Sequence, residues 1–404
     1  MTVADVLRRR GYRTLLVGQT VSALGDWMAT VAFMALVLDE TGSSTAVGGI
    51  LALRLLPAAL GGPLAARAAG LWDRRRTMVA MDGARAAMVA VVPLVPELWW
   101  IYLWAFLLEV ASLVFLPARD ASIPDLVEAH ELPIANGLVL GSSYGSIPLG
   151  AAAFAVVAAI PGSDLFGRAY SSVFWVDALS FAVSGMLVAS LTQLSRGAGT
   201  AAPGEDDHVR FRDAFALPLV RAILPATAAV ALGLGALFSL GIVFVRDVLD
   251  ATDAQFGVLI ALFGVGAAVG LRLLQQQGAG ESLAATRGGV AVLGLIVATF
   301  SLAPELWVAF VGAAAFGAAA AWTLASGMGV LQSALEGRER VLAFAVFHVV
   351  IRFALAAAAI GAGIAGEAVG NVDWPLVGTL EPSRVVLLCS GALVSVSALR
   401  VRRT

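Results

Sequence analysis

Long apolar runs alternate with short polar breaks from one end of the chain to the other. A helix that crosses the hydrocarbon core of a bilayer needs about 20 mainly apolar residues. Twelve runs meet that length: residues 13–38, 46–66, 77–95, 98–117, 134–160 and 169–193, then 217–246, 254–274, 285–303, 305–333, 341–366 and 383–401. The breaks carry loop chemistry, as in Asp39-Glu40-Thr41-Gly42, Arg74-Arg75-Arg76, Pro96-Glu97, Gly162-Ser163-Asp164 and Glu336-Gly337-Arg338. Barrel strands would alternate apolar and polar positions over about ten residues. These runs are continuous and longer, so the pattern predicts an all-α membrane protein of twelve transmembrane helices.

Composition points the same way. Of 404 residues, 59% are hydrophobic and 13% charged, whereas a soluble chain carries about 25% charged residues. Too little charge is present to tile a soluble surface or to keep a chain disordered. The formal net charge of −2 offers nothing to nucleic acid. The single Cys389 forbids an internal disulfide, and no cleavable leader pattern follows Arg8-Arg9-Arg10. No enzyme is expected, and no metal or cofactor. The three histidines, His130, His208 and His348, are dispersed without a His-Glu-x-x-His motif, and a chain without Lys cannot form a nucleotide-binding P-loop.

Every one of the 26 basic residues is Arg, and their placement sets an orientation. With the N-terminus inside, the outer breaks hold only Arg168, Arg246 and Arg384, and Arg54, Arg85 and Arg352 fall within runs; all the others are inner. Both termini are therefore expected in the cytoplasm of a protein in the inner (cytoplasmic) membrane.

The chain also repeats itself. Val37-Leu38-Asp39-Glu40-Thr41 returns as Val248-Leu249-Asp250-Ala251-Thr252, and Pro96-Glu97-Leu98-Trp99 as Pro304-Glu305-Leu306-Trp307; Glu128-Ala129-His130-Glu131 lies over Glu336-Gly337-Arg338-Glu339. The offset is near half the length. Two parallel six-helix bundles follow, residues 1–194 and 217–404, joined by a cytoplasmic linker over 195–216 that is rich in Gly, Ala and charge. Such a duplication suits a path between halves that opens to one side at a time.

Ionisable groups at the middle of a span cost about 2.5–3.5 kcal/mol each on insertion scales, so they mark wet cavities or partners. Asp26 and Glu109 are central in spans 1 and 4 and are the candidates for proton coupling. The alternative is that Arg54 or Arg85 neutralises each acid and nothing titrates. Arg54, Asp177, His348 and Arg352 are cavity candidates, together with the aromatic residues Trp27, Tyr144 and Trp322, and with Phe33 and Phe347 on the same wall. Asp82 and Arg85 share a helical face near the inner side of span 3; Asp247 and Glu367 stand at outer ends. Gly137, Gly141 and Gly145 on span 5 form a small-residue stripe expected to pack against a neighbouring helix, as do Gly264, Gly266 and Gly270 on span 8 and Gly361, Gly363 and Gly366 on span 11. Trp99, Trp100 and Trp307 read as an interface belt.

Several segments carry a family resemblance: Ala23-Leu24-Gly25-Asp26-Trp27, Thr41-Gly42-Ser43-Ser44, Arg54-Leu55-Leu56-Pro57, Asp73-Arg74-Arg75-Arg76 with Asp82 and Arg85, and above all Leu116-Pro117-Ala118-Arg119-Asp120-Ala121-Ser122-Ile123-Pro124-Asp125-Leu126-Val127. On these the chain resembles the major facilitator superfamily over nearly its whole length. Within it, the chain is similar to the exporter branch that includes macrolide-efflux and enterobactin-efflux proteins. The resemblance implies a secondary active transporter, proton-coupled and exporting amphiphilic small molecules of drug, macrolide or siderophore type, acting as a monomer with the bilayer, protons and a small substrate as its partners. It implies gating roles for Asp73, Arg74, Arg75, Asp82, Arg85 and Arg119. It also implies a helix-packing motif in span 5 at Gly141, Gly145, Pro148 and Gly150, alongside Gly137. Two positions depart from the family pattern. Gly70 and Leu71 stand where the loop between spans 2 and 3 usually has Asp and Arg, leaving Asp73 as the substitute, and Ile147 stands where Gly often precedes Pro. An uptake symporter of the same fold, and a transport-inactive scaffold or receptor, are the alternatives.

Overall fold

In the computed structural model the described residues are helical apart from short connections and one short hairpin. The structure describes residues 3–60, 73–160, 164, 168–192, 194, 217–278, 282–335, 337–374 and 378–400; the side chains of Tyr144 and His348, and the loop residues Gly70 and Leu71, lie outside the described residues. So do the end of the second expected run and the whole of the expected linker.

The helices are α1 (Val3–Arg8), α2 (Arg10–Thr41), α3 (Ser44–Leu60), α4 (Arg74–Val91), α5 (Leu98–Ser122), α6 (Leu132–Ala158), α7 (Ser171–Ala189), α8 (Pro218–Val243), α9 (Asp253–Gln276), α10 (Leu283–Phe300), α11 (Leu306–Ala334), α12 (Gly337–Ala368) and α13 (Pro382–Ser397). Among the described residues ten helices are long and apolar enough to cross a membrane. Two shorter apolar helices, Ser44–Pro57 and Pro382–Ser397, stand where the second and twelfth spans are expected. Helices are what a chain this apolar must form, because only an internally bonded backbone tolerates hydrocarbon.

The ends follow from local chemistry. Asp73 caps α4 by accepting from the Arg76 amide at 2.8 Å, and Thr252 and Gln255 close a reciprocal capping box on α9. The internal repeat lands on equivalent features. Glu97 and Glu305 both precede a helix that starts at the next residue, α5 in one case and α11 in the other. One element was not expected. β1 (Val372–Trp374) pairs antiparallel with β2 (Gly378–Leu380), Val372 opposite Leu380, where the sequence reads as a simple connection between spans.

By density of contacts the chain falls into two compact units. One is Met1–Leu36 with Leu60–Asp207; the other is Val37–Ala59 with His208–Thr404. The sequence reading assigns Val37–Ala59 to the first half, whereas its contacts group it with the second. The first unit buries Tyr12, Leu15, Met78, Phe115, Ala135 and Val188 in one cluster, and the Tyr12 hydroxyl donates to the Ala135 carbonyl at 2.7 Å. The second unit buries Val230, Leu293, Val297, Phe316 and Val394 together. There α9 lies directly on α11: a β-carbon at Gly266 or Gly270 would run into the backbone of Ala314 or Ala318. That is the small-residue contact expected of span 8.

Span 5 behaves differently. A β-carbon at Gly137, Gly141 or Gly145 would meet nothing within 4 Å among the described residues, and these glycines are exposed. Among the described residues the expected packing stripe meets no neighbour, because a small side chain permits close approach without supplying a partner. Gly150 alone of the motif glycines is a contact, its β-carbon position 2.7 Å from the Leu24 carbonyl oxygen and from Trp27 Cβ; Pro148 is half-buried within α6. On span 11, Gly361 meets nothing while Gly363 and Gly366 are packed.

Candidate functional site

The first unit gathers charge in the middle of its helices. Asp82 and Arg85 stand one turn apart on α4, so their side chains meet: the Arg85 guanidinium donates to Asp82 Oδ1, and both residues are buried. The guanidinium sits between two aromatic rings, 4.1 Å from the Phe115 centroid on α5 and 4.5 Å from that of Phe181 on α7. Ring faces attract a cation and exclude water from it. Two further carboxylates act on the same guanidinium, Asp26 from α2 and Asp177 from α7. Asp177 is fully buried and accepts from the Ser180 hydroxyl at 3.0 Å. Gly185 lets α7 approach α4 until its β-carbon position is 3.2 Å from Asp82 Cβ.

This revises part of the sequence reading. Asp82 and Arg85, for which the resemblance implies gating roles, form a buried, hydrogen-bonded pair. Asp26 is half-buried on α2 and Glu109 half-buried on α5. Of the expected aromatic wall, Phe33 is fully buried edge-on to Phe174, with centroids 4.9 Å apart, and Phe347 is in the core of the second unit. Continuous apolar surroundings claim both rings for packing. Trp27 is half-buried, and Trp322 is half-buried with its indole donating to the Ala285 carbonyl at 3.2 Å. Arg54 is buried on α3, and Arg352 is half-buried on α12. Trp99 and Trp307 are exposed.

The Arg-rich end of the first unit is tied by charge. Arg74 donates to the Ala121 carbonyl at 2.7 Å and to Asp125 Oδ2 at 3.0 Å, joining the start of α4 to the end of α5. Arg75 donates to the Ala189 carbonyl at the end of α7. Arg119 donates to Asp120 at 2.8 Å and to Gln19 Oε1 of α2 at 3.4 Å. Arg9 pairs with Glu128 and with Glu131 at 3.2 Å. The Glu128 amide, helped by Arg9, holds the Glu131 carboxyl below the usual carboxylate range, while Glu128 and Glu131 raise Arg9.

A second tie lies wholly in the second unit and was not anticipated as a unit. Glu367 Oε1 accepts from the Ser43 hydroxyl at 2.6 Å and from the Thr45 amide at 3.0 Å, at the start of α3. Ser44 donates to the Gly363 carbonyl at 2.9 Å. Close by in sequence, Arg246 bridges Asp39 at 2.7 Å and Asp253 at 3.3 Å. For Arg246 the signal was present, since it is one of the few Arg residues in the otherwise Arg-poor breaks. The second unit also holds an apolar cavity of about 40 Å³ lined by Phe238, Phe256, Phe263, Phe300 and Phe316 among others. Ligand pockets run to about 300–1,000 Å³, so this space is a packing defect. Among the described residues no group of His, Cys, Asp and Glu is arranged to hold a metal ion.

These features define a multi-pass helical membrane protein whose polar groups are buried in pairs inside its bundles. The Major Facilitator Superfamily model matches residues 15–303, and the chain belongs to that family. The protein is 28% identical over 184 residues to "Uncharacterized MFS-type transporter YfiS" of Bacillus subtilis (strain 168), a match that covers 45% of this chain and 42% of that one. Among solved structures, a bacterial homolog of the human lysosomal transporter Spinster, inward-facing and occupied, superposes with a TM-score of 0.79 at 14% identity, over 98% of this chain and 96% of that. The nucleoside transporter NupG gives 0.74 at 10% over 96% and 97%, and a bacterial homologue of the iron transporter ferroportin, inward-facing, gives 0.75 at 11% over 97% and 98%. At such identities these likenesses speak to the fold.

Proposed function

We propose that the protein is a proton-coupled exporter of amphiphilic small molecules, working by alternating access with twelve crossings and both termini in the cytoplasm. Substrate enters from the cytoplasm or inner leaflet and competes with a proton for the state of Asp26 or Glu109; a proton from outside then resets the carrier. The observation that carries this reading is Asp26 itself. It is a half-buried carboxylate in the middle of a 32-residue apolar helix, within the field of the buried Arg85, and such groups in spans mark proton relays and transport paths. Export is supported by the segment Leu116–Val127, which resembles the efflux branch.

The test compares cells expressing the wild type, Asp26→Asn and Glu109→Gln for accumulation of a panel of dyes, macrolides and siderophores, with and without a protonophore. The wild type is expected to lower accumulation of at least one compound until the protonophore is added, and one of the two variants to lose that effect. Full protonophore-sensitive efflux in both variants overturns the proton assignment. A rise in accumulation on expression reverses the direction to uptake.

A further inference from the structure

Between α12 and α13 lies the one place among the described residues where the backbone pairs as a sheet. Residues directly opposite each other in an antiparallel pair share a face, and neighbours along a strand alternate between faces. The register sets Val372 opposite Leu380, Asp373 opposite Thr379 and Trp374 opposite Gly378. One face therefore carries Val372, Trp374 and Leu380. The other carries Asp373 and Thr379, and the Thr379 hydroxyl donates to Asp373 Oδ1 at 2.7 Å. Both residues of this polar face are exposed. The apolar face is divided: Leu380 is 3% exposed, whereas Val372 is 40% and Trp374 45% exposed. Leu380 thus turns the face toward the apolar body of the second unit, and Val372 and Trp374 extend the same face into exposed surface.

We propose that this hairpin is a membrane-interface anchor, with Val372 and Trp374 set into the headgroup and upper acyl layer of the bilayer and Asp373 and Thr379 turned to water. The inference rests on the reading of α12 and α13 as membrane crossings. The tethers are short: β1 starts at Val372 after α12 ends at Ala368, and β2 ends at Leu380 before α13 starts at Pro382. An extended chain reaches at most about 3.3–3.6 Å per residue, and the headgroup layer extends about 5–7 Å beyond the hydrocarbon on each side. A hairpin held at both ends this closely stays beside that layer. An isolated two-stranded hairpin is marginal in water, and among the described residues neither strand lies along a helix, so its apolar face needs a cover. Trp suits this layer because its large apolar ring also carries a polar N–H. The charges nearby do not call for anionic lipid: Glu367 and Asp373 are acidic, and Arg384 is bound to Glu381 at 2.7 Å. The apolar face itself is the attachment.

The experiment places nitroxide labels on the full chain in phosphatidylcholine vesicles. Cys389→Ser removes the single native thiol, and Val372→Cys, Thr379→Cys and Ile360→Cys are each made in that background, Ile360 being an exposed apolar position within α12. Collisions of the label with oxygen report lipid, and collisions with a water-soluble nickel chelate report water. Oxygen is expected to dominate at 372, as at 360, and nickel at 379. Adding Trp374→Ser to the chain labelled at 372 is expected to shift that position toward nickel. A label at 372 that reads water like 379, or is shielded from both reagents by protein, overturns the anchor and leaves the crossings standing. Nickel dominating at 360 overturns the crossing by α12, and this inference with it. Where a labelled variant does not fold, the native ring carries the test. The fluorescence that Trp374→Phe removes is expected to be quenched in vesicles of brominated phosphatidylcholine, and its survival there overturns the anchor.

Discussion

Ser44 and Gly363 touch backbone to backbone. The Ser44 hydroxyl donates to the Gly363 carbonyl oxygen at 2.9 Å, and a β-carbon on Gly363 would fall 2.6 Å from the Ser44 carbonyl oxygen. One turn further on, Glu367 takes the Ser43 hydroxyl and the Thr45 amide. The start of α3 is thus seated on the end of α12 by one absent side chain and one carboxylate. It is one of the ties, with Arg246–Asp39, that group Val37–Ala59 with the second unit.

Gly363→Leu is expected to force α3 and α12 apart. Overpacking of this kind costs about 1–3 kcal/mol, and the obstacle is rigid backbone. Thermal unfolding in detergent should show a lower midpoint for Gly363→Leu, while Gly361→Leu, whose β-carbon position meets nothing within 4 Å among the described residues, should match the wild type.

Glu367→Gln keeps the shape and removes the charge. Glu367 is exposed, so the loss should stay near 1 kcal/mol, read as a modest drop in the same unfolding midpoint. Glu367→Ala, which removes both acceptors, should drop it further.

Asp73→Ala removes the cap of α4, where the Arg76 amide loses its acceptor. Caps of this type contribute about 1 kcal/mol. Hydrogen exchange should become faster at the amides of Arg75 and Arg76, with exchange in the middle of α4 unchanged.

The Arg9–Glu131 tie makes a pH prediction. Glu131 titrates below its ordinary value in the folded protein, chiefly because the Glu128 amide donates to it. A carboxyl lowered in this way contributes stability that is complete above the ordinary carboxylate range and is lost as pH falls through the folded value. As pH falls below about 4, the wild type should therefore lose more of its unfolding midpoint than Glu131→Gln. Equal slopes for the two would show that the tie contributes nothing.

Much of the fold was legible because hydrocarbon thickness dictates run length. The runs 98–117 and 254–274 return as α5 and α9, with edges moved by a few residues, and Pro96-Glu97 and Pro304-Glu305 mark equivalent helix starts. The candidate site was legible only as a set of residues. That Asp82 and Arg85 share a face follows from helical spacing. That Phe115 and Phe181 close over the guanidinium depends on which helices are neighbours. The glycines show the same divide: the spacing of Gly137, Gly141 and Gly145 looks like that of Gly266 and Gly270, yet among the described residues the first set meets no neighbour and the second is packed.

The sequence by itself determined the helices, the duplication and the identity of the charged groups inside apolar runs, since these rest on local composition and on a period every helix shares. Tertiary structure decided which of those charges meet, which glycines are contacts, and to which unit Val37–Ala59 belongs. Pairing across helices depends on packing between segments far apart in the chain, and one helical face is chosen over another by neighbours that the local pattern does not name.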